Sequence, residues 1–134
     1  MSASPIAVVI NPNAGPSSRR SSRADMQALA QRASDAAGLT HTVVFTERGG
    51  HARELAADLS DRGYSPVVAW GGDGTVNEVA GALVHRPTVL GIVPAGSGNG
   101  LARELGISLR PRDAMWIAAQ GADRRIDTGE LGGR

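Results

Sequence analysis

Pro66-Val67-Val68-Ala69-Trp70-Gly71-Gly72-Asp73-Gly74-Thr75-Val76-Asn77-Glu78-Val79-Ala80 runs from an apolar segment through a glycine cluster into a helical pattern. Pro66–Trp70 reads as a strand, and Val76, Val79, Ala80 and Leu83 fall on one face of an amphipathic helix. Between them, Gly71-Gly72-Asp73-Gly74-Thr75 predicts a turn whose glycines adopt φ > 0 and aim backbone N–H groups at an approaching anion. The dipole of the following helix adds to that attraction. The plainer reading is a tight turn with an N-capping Asp or Thr.

The same unit recurs on either side. Ile6–Ile10 is continuously apolar, as in a strand covered on both faces of a parallel sheet, and it stops at the loop Asn11-Pro12-Asn13-Ala14-Gly15-Pro16. From about Arg19 to Ala37, the residues Met26, Leu29, Ala30, Ala33 and Ala37 are spaced for a helix that Gly38 ends. His41–Thr46 reads as a strand, and Ala52, Leu55, Ala56 and Leu59 mark a helix closed by Gly63. Thr88–Val93 is a further strand, followed by the glycine loop Gly96–Gly100 and the short helical segment Leu101–Leu105. Arg112–Gln120 predicts one more helix, and Arg124–Leu131 begins a strand. Strands alternating with helices call for right-handed crossovers and a parallel sheet covered on both sides. In such a sheet the loops after Ile10, Trp70 and Val93 gather at one edge, where ligands bind.

Length and composition narrow the function. A chain of 134 residues predicts a single core. Aromatic residues make up only 3%, so Ala, Val, Leu and Ile must fill that core, which suits helices packed on a sheet. All 14 basic side chains are arginine, which excludes a Walker A loop, a Schiff base or a lysine base within this stretch. The arginines are scattered and the net charge is +1, so nothing points to nucleic acid. The absence of cysteine removes disulfides, thiolate nucleophiles and cysteine-bound zinc. No transmembrane segment is expected, since no stretch approaches the roughly 18–20 apolar residues needed to span a bilayer.

Pro94-Ala95-Gly96-Ser97-Gly98-Asn99-Gly100 repeats the strand-to-loop arrangement and offers Ser97 and Asn99 as side-chain donors. Asp73 is the acid inside a phosphate-type loop, and three roles stay open for it: pinning loop N–H groups, orienting a magnesium-bound water, or accepting a proton. Glu78 either caps its helix or reaches a nucleotide hydroxyl. Arg103, Arg19 and Arg20 lie near the loops as phosphate ligands or as solvated side chains. His51 reads as a structural residue at a helix start, and Trp70 and Trp116 as core or helix-packing residues.

Taken in order, Asn11-Pro12 with Gly15, Gly71-Gly72-Asp73-Gly74-Thr75 with Asn77-Glu78, and Pro94-x-Gly96-Ser97-Gly98-Asn99-x-Leu101-Ala102-Arg103 resemble the diacylglycerol kinase catalytic domain family over roughly residues 6–131. That family includes bacterial lipid kinases and sphingosine kinases. The resemblance implies a three-layer α/β/α fold with a mainly parallel sheet, like the N-terminal domain of NAD kinases and diacylglycerol kinases. On that pattern residues 1–123 form the nucleotide-binding domain, and residues 124–134 begin a β-rich domain missing from this chain; Arg125-Ile126-Asp127-Thr128-Gly129 is the entering strand. It also implies that ATP contacts Asn11, Asn13–Ser17 (with Ala14 and Gly15), Thr46, Gly72–Glu78 (with Gly74, Thr75 and Asn77), Gly96, Ser97 and Asn99. Asp73 would be the catalytic residue, close to the reacting phosphate and magnesium. Gly100 stands where many diacylglycerol kinases carry Asp, and a small residue there is more like the sphingosine kinases.

The function expected is therefore phosphoryl transfer from ATP, with Mg2+, to a lipid hydroxyl of diacylglycerol or sphingoid type. This chain would supply the ATP side and be inactive alone, in the cytoplasm or peripherally at the membrane. The alternatives are an NAD-kinase-like phosphotransferase and a non-catalytic nucleotide-binding module. An apolar patch where the missing domain would pack predicts a homodimer.

Overall fold

The computed structural model describes residues 4–15 and 21–120. The expectations for Ser17, Arg19 and Arg20, for the strand Arg124–Leu131 and for the division at residue 124 lie outside those residues. The elements are β1 (Ile6–Ile10), α1 (Arg23–Ala36), β2 (His41–Phe45), α2 (His51–Asp61), β3 (Val67–Gly71), α3 (Asp73–Leu83), β4 (Leu90–Pro94), α4 (Gly100–Glu104) and α5 (Pro111–Gln120). The four strands form one parallel sheet in the order β2-β1-β3-β4, with Ile10 paired to Phe45 on one side and to Trp70 on the other.

Alternation along the central strands sorts their side chains into two cores. Ile6, Val8 and Ile10 join Val68, Trp70 and Val93 beneath Met26, Ala30 and Ala33 of α1 and Ala114, Met115 and Ala119 of α5. Ala7 and Val9 join Val67, Ala69 and Ile92 on the opposite face, beneath Ala52, Ala56 and Leu59 of α2 and Val76, Val79 and Ala80 of α3. All five residues of β1, and all five of β3, are buried, which is why those segments read as unbroken apolar runs. Alanine at the helix positions facing the sheet lets the helices approach closely, and Met26 and Met115 fill what remains. The result is the three-layer α/β/α architecture with helices on both faces.

Local chemistry sets the element boundaries. The helix expected from about Arg19 starts at Arg23, because Ser22 is extended (φ −70°, ψ 158°) and its Oγ accepts the Asp25 N–H. Gly38 (φ +74°) and Gly63 (φ +92°) supply the left-handed positions that end α1 and α2, as their placement predicted. The strands expected at Pro66–Trp70 and Thr88–Val93 each end one residue later, at Gly71 and Pro94, since the Ala95 N–H still donates to the Gly71 carbonyl (2.9 Å). His51 does open a helix. Trp70 is a core residue, but Trp116 is not: it is 40% exposed on the outward face of α5, beside Ile117 at 50%. Among the described residues no helix is long and apolar enough to cross a membrane.

Met115 is wholly buried between α5 and the sheet. Met115→Ala is expected to lower the unfolding free energy by about 2–5 kcal/mol, and Trp116→Ala to change it by about 0.5 kcal/mol or less, both read from urea titrations.

Candidate functional site

From β1 the chain first moves to β2 at one side and then crosses back to β3 at the other, so the sheet reverses direction between β1 and β3. At such a point the loops leaving the strands' carboxyl ends diverge to opposite faces and open a crevice. Here the sheet's own hydrogen bonds run on into those loops. Thr46 N–H donates to the Ile10 carbonyl (2.8 Å), Asn11 N–H to the Trp70 carbonyl (2.9 Å) and Ala95 N–H to the Gly71 carbonyl (2.9 Å).

The glycines of these loops serve close approach more than unusual dihedrals. Gly72 has φ −86°, and among the described glycines only Gly15, Gly38, Gly50, Gly63 and Gly106 have positive φ. The expectation of left-handed glycines in the Gly71–Gly74 turn is thus corrected. A Cβ on Gly96 would lie 2.6 Å from Gly72 Cα, and one on Gly15 would lie 2.4 Å from the Ala95 carbonyl oxygen. In the second glycine loop the left-handed residue is Asn99 (φ 54°). Its Oδ1 accepts the Gly96 N–H and its Nδ2 donates to the Gly96 carbonyl, both at 2.9 Å, so Asn99 closes its own loop.

Three hollows lie side by side along this edge. The central cleft, about 520 Å³, is lined by Asn11, Ala14, Gly15, by Gly72–Thr75 and by Gly96–Gly98. A hollow of about 310 Å³ on the β2 side is lined by Asn13, Thr46, Arg48, Glu78 and their neighbours. A third, about 330 Å³ on the α5 side, includes Met26, Trp70, Ser97, Asn99, Arg103 and Leu109. Asn11 borders all three, with Nδ2 3.4 Å from Thr75 Oγ1 and Oδ1 accepting the Asn13 N–H at 3.0 Å. Of the residues singled out from the sequence, Asn77 alone lies apart: it is exposed on α3 and lines none of the three.

Two acids sit differently from their sequence readings. Asp73 is the first residue of α3 but does not cap it; its Oδ1 accepts the Gly100 N–H (2.7 Å) at the start of α4, joining the two glycine loops. Glu78 does not cap its own helix either. Its Oε2 accepts the Gly50 N–H (3.2 Å) at the start of α2, where Gly50 provides no side-chain cap. His51 Nδ1 accepts the Glu47 N–H (2.9 Å), so its role in that same turn is structural. Arg48 grips Glu54 through both guanidinium ends at 2.8 Å. Hydrogen bonding to Arg48 and then its charge hold the Glu54 carboxyl below the ordinary range, and Glu54 in turn raises Arg48.

The central cleft therefore has one carboxylate, Asp73, and no arginine on its walls. An anion there must be held by backbone N–H groups and by Thr75, Ser97 and Asn11. Arg48 and the apolar wall of the α5-side hollow were not singled out as site residues. They come from β2–α2, α1 and the α4–α5 turn, and no local motif marks them.

The family model of the diacylglycerol kinase catalytic domain matches residues 5–131. The "Probable lipid kinase YegS-like" of Chromohalobacter salexigens is 43% identical over 101 residues, covering 72% of this chain and 32% of that protein. Its namesake in Pseudomonas aeruginosa is 41% identical over 100 residues, covering 73% and 33%. The chain thus spans about a third of the length of these curated relatives. The crystal structure of a diacylglycerol kinase from Bacillus anthracis superposes with a TM-score of 0.74 at 22% identity, over 87% of this chain and 39% of that one, a likeness of fold.

Asp73→Ala is expected to speed amide hydrogen exchange at Gly100 while leaving Asn11 and Thr46, which the sheet ladder holds, unchanged. The Arg48–Glu54 pair should persist at neutral pH. Because the folded-state pKa of Glu54 is depressed, its stabilisation is complete above the ordinary carboxylate pKa and lost as pH falls through the lowered value. The Arg48 side-chain NMR signals should follow that acidic titration, and Glu54→Gln should abolish it.

Proposed function

The chain belongs to the diacylglycerol kinase catalytic domain family, and on that premise we propose that it holds ATP for transfer of the γ-phosphate to a lipid hydroxyl. The observation that carries this reading is the convergence of the three loops on one cleft whose walls are backbone amides and small polar side chains. A triphosphate suits such walls, because many modest amide contacts share its charge without a lysine. Its nucleoside then extends over the β2-side hollow, where Asn13, Thr46 and Glu78 offer hydrogen-bonding groups.

In the reaction the bond from the γ-phosphorus to the β–γ bridging oxygen breaks as a bond to the lipid hydroxyl oxygen forms, and the hydroxyl proton leaves to a base. The chain's contribution is positional, since phosphoryl transfer depends on alignment and charge stabilisation. Magnesium fits this cleft through Asp73 and the phosphates, an ion commonly held by one or two carboxylates; when bound it neutralises charge on the phosphate oxygens. Among the described residues there is no group of three or more His, Cys, Asp or Glu that could hold a metal without substrate. Groups that act directly on the lipid hydroxyl are proposed to lie in the part of the relatives' length that this chain does not span.

Calorimetric titration with ATP and magnesium tests the proposal. A Cβ on Gly74 meets nothing within 4 Å, so Gly74→Val leaves the protein's own packing intact while adding bulk to a cleft-lining residue. Saturable binding that Gly74→Val weakens at least about tenfold, roughly 1.4 kcal/mol, is the expected result. Equal ATP binding by both proteins would place the nucleotide elsewhere and remove the basis of the reading.

A further inference from the structure

We propose that the α5-side hollow receives the polar end of the lipid acceptor and that Arg103 there selects a glycerol-type lipid over a sphingoid base, an inference that rests on the kinase reading above. The arrangement of the hollows is the first argument. The central cleft shares Asn11, Gly74 and Thr75 with the β2-side hollow, and Ala14, Gly15, Gly96 and Ser97 with the α5-side hollow, so it lies between them. In-line transfer places the acceptor oxygen opposite the leaving oxygen across the γ-phosphorus. With the phosphates in the middle, one flank takes the nucleoside and the other the acceptor.

The walls decide which flank is which. The β2-side hollow is edged by Asn13, Thr46, Glu47, Arg48 and Glu78, a polar set suited to ribose and base edges. The α5-side hollow has Met26, Trp70, Leu109 and Pro111 on its walls, the kind of surface that takes alkyl carbons. At about 330 Å³ it is sized for a head group and the first carbons of its chains.

Arg103 supplies the selection. Its Nε donates to the Gly98 carbonyl (2.8 Å), which fixes the guanidinium, and its Nη nitrogens have no partner among the described residues. No carboxylate lines this hollow. Guanidinium donors suit the ester carbonyls of a glycerolipid, while the same positive charge repels the ammonium of a sphingoid base.

The test uses Trp116→Phe, which leaves Trp70, in the wall of the hollow, as the sole fluorophore of the chain's two tryptophans. Dihexanoylglycerol should shift Trp70 emission saturably, with and without ATP and magnesium, and a short-chain sphingoid base should bind at least about tenfold more weakly. Arg103→Gln should cost the glycerolipid about tenfold, the loss of one hydrogen bond to a charged group. Leu109 is 41% exposed, so Leu109→Asp is compatible with folding and should reverse the preference toward the sphingoid base. ATP affinity, measured by calorimetry, should be unchanged in both variants. An unshifted Trp70 signal, or a preference that neither variant alters, overturns the inference. Competition between ATP and the glycerolipid, with ATP affinity lost in Leu109→Asp, would put the nucleoside in this hollow and overturn it while leaving the kinase reading intact. Loss of ATP binding to the central cleft in the unmodified protein would instead strike the kinase reading itself.

Discussion

Backbone hydrogen bonds that continue beyond the ends of the strands hold the three loops in one frame. Through Thr46, Asn11 and Ala95, each loop begins still attached to the neighbouring strand's carbonyl. The loops therefore inherit the sheet's spacing, and Gly72 and Gly96 come close enough that neither tolerates a side chain between them. Every wall of the central cleft depends on this, since moving one strand end would separate the loops and scatter their amides.

Much of this was legible in the sequence because the interactions are local or periodic. The buried strands β1 and β3 announced themselves as unbroken apolar runs, and Gly38 and Gly63 marked helix ends. The convergence of the loops followed from parallel topology alone. What sequence could not show was where each side chain would find its partner. Glu78 lies 28 residues from the amide it caps, and Asp73 lies 27 from its own, so neither pairing leaves a local pattern. Trp116 was misjudged for a related reason: helical spacing identifies a face, but only the packed neighbours decide whether that face is covered.

The distribution of charge along the cleft divides the labour of recognition. The middle is neutral apart from Asp73, so a bound anion is held by oriented dipoles that need no reorganisation. The arginines stand at the flanks, where Arg48 is engaged by Glu54 and Arg103 by the Gly98 carbonyl. Such a layout favours shape over net attraction, in keeping with a net charge of only +1.

The contact between Asp73 and the Gly100 amide has a bearing on the cycle of binding and departure. The carboxylate occupies a donor beside the central cleft, so the empty protein already contains a tethered stand-in for a ligand oxygen. A visiting anion that takes this amide does so by exchange, and its net gain is the difference between two similar contacts. The reverse holds on leaving: the tethered group is at hand to refill the position, which keeps the vacated loops from collapsing and shortens residence. The feature that pins the cleft open thus also limits how tightly it can grasp.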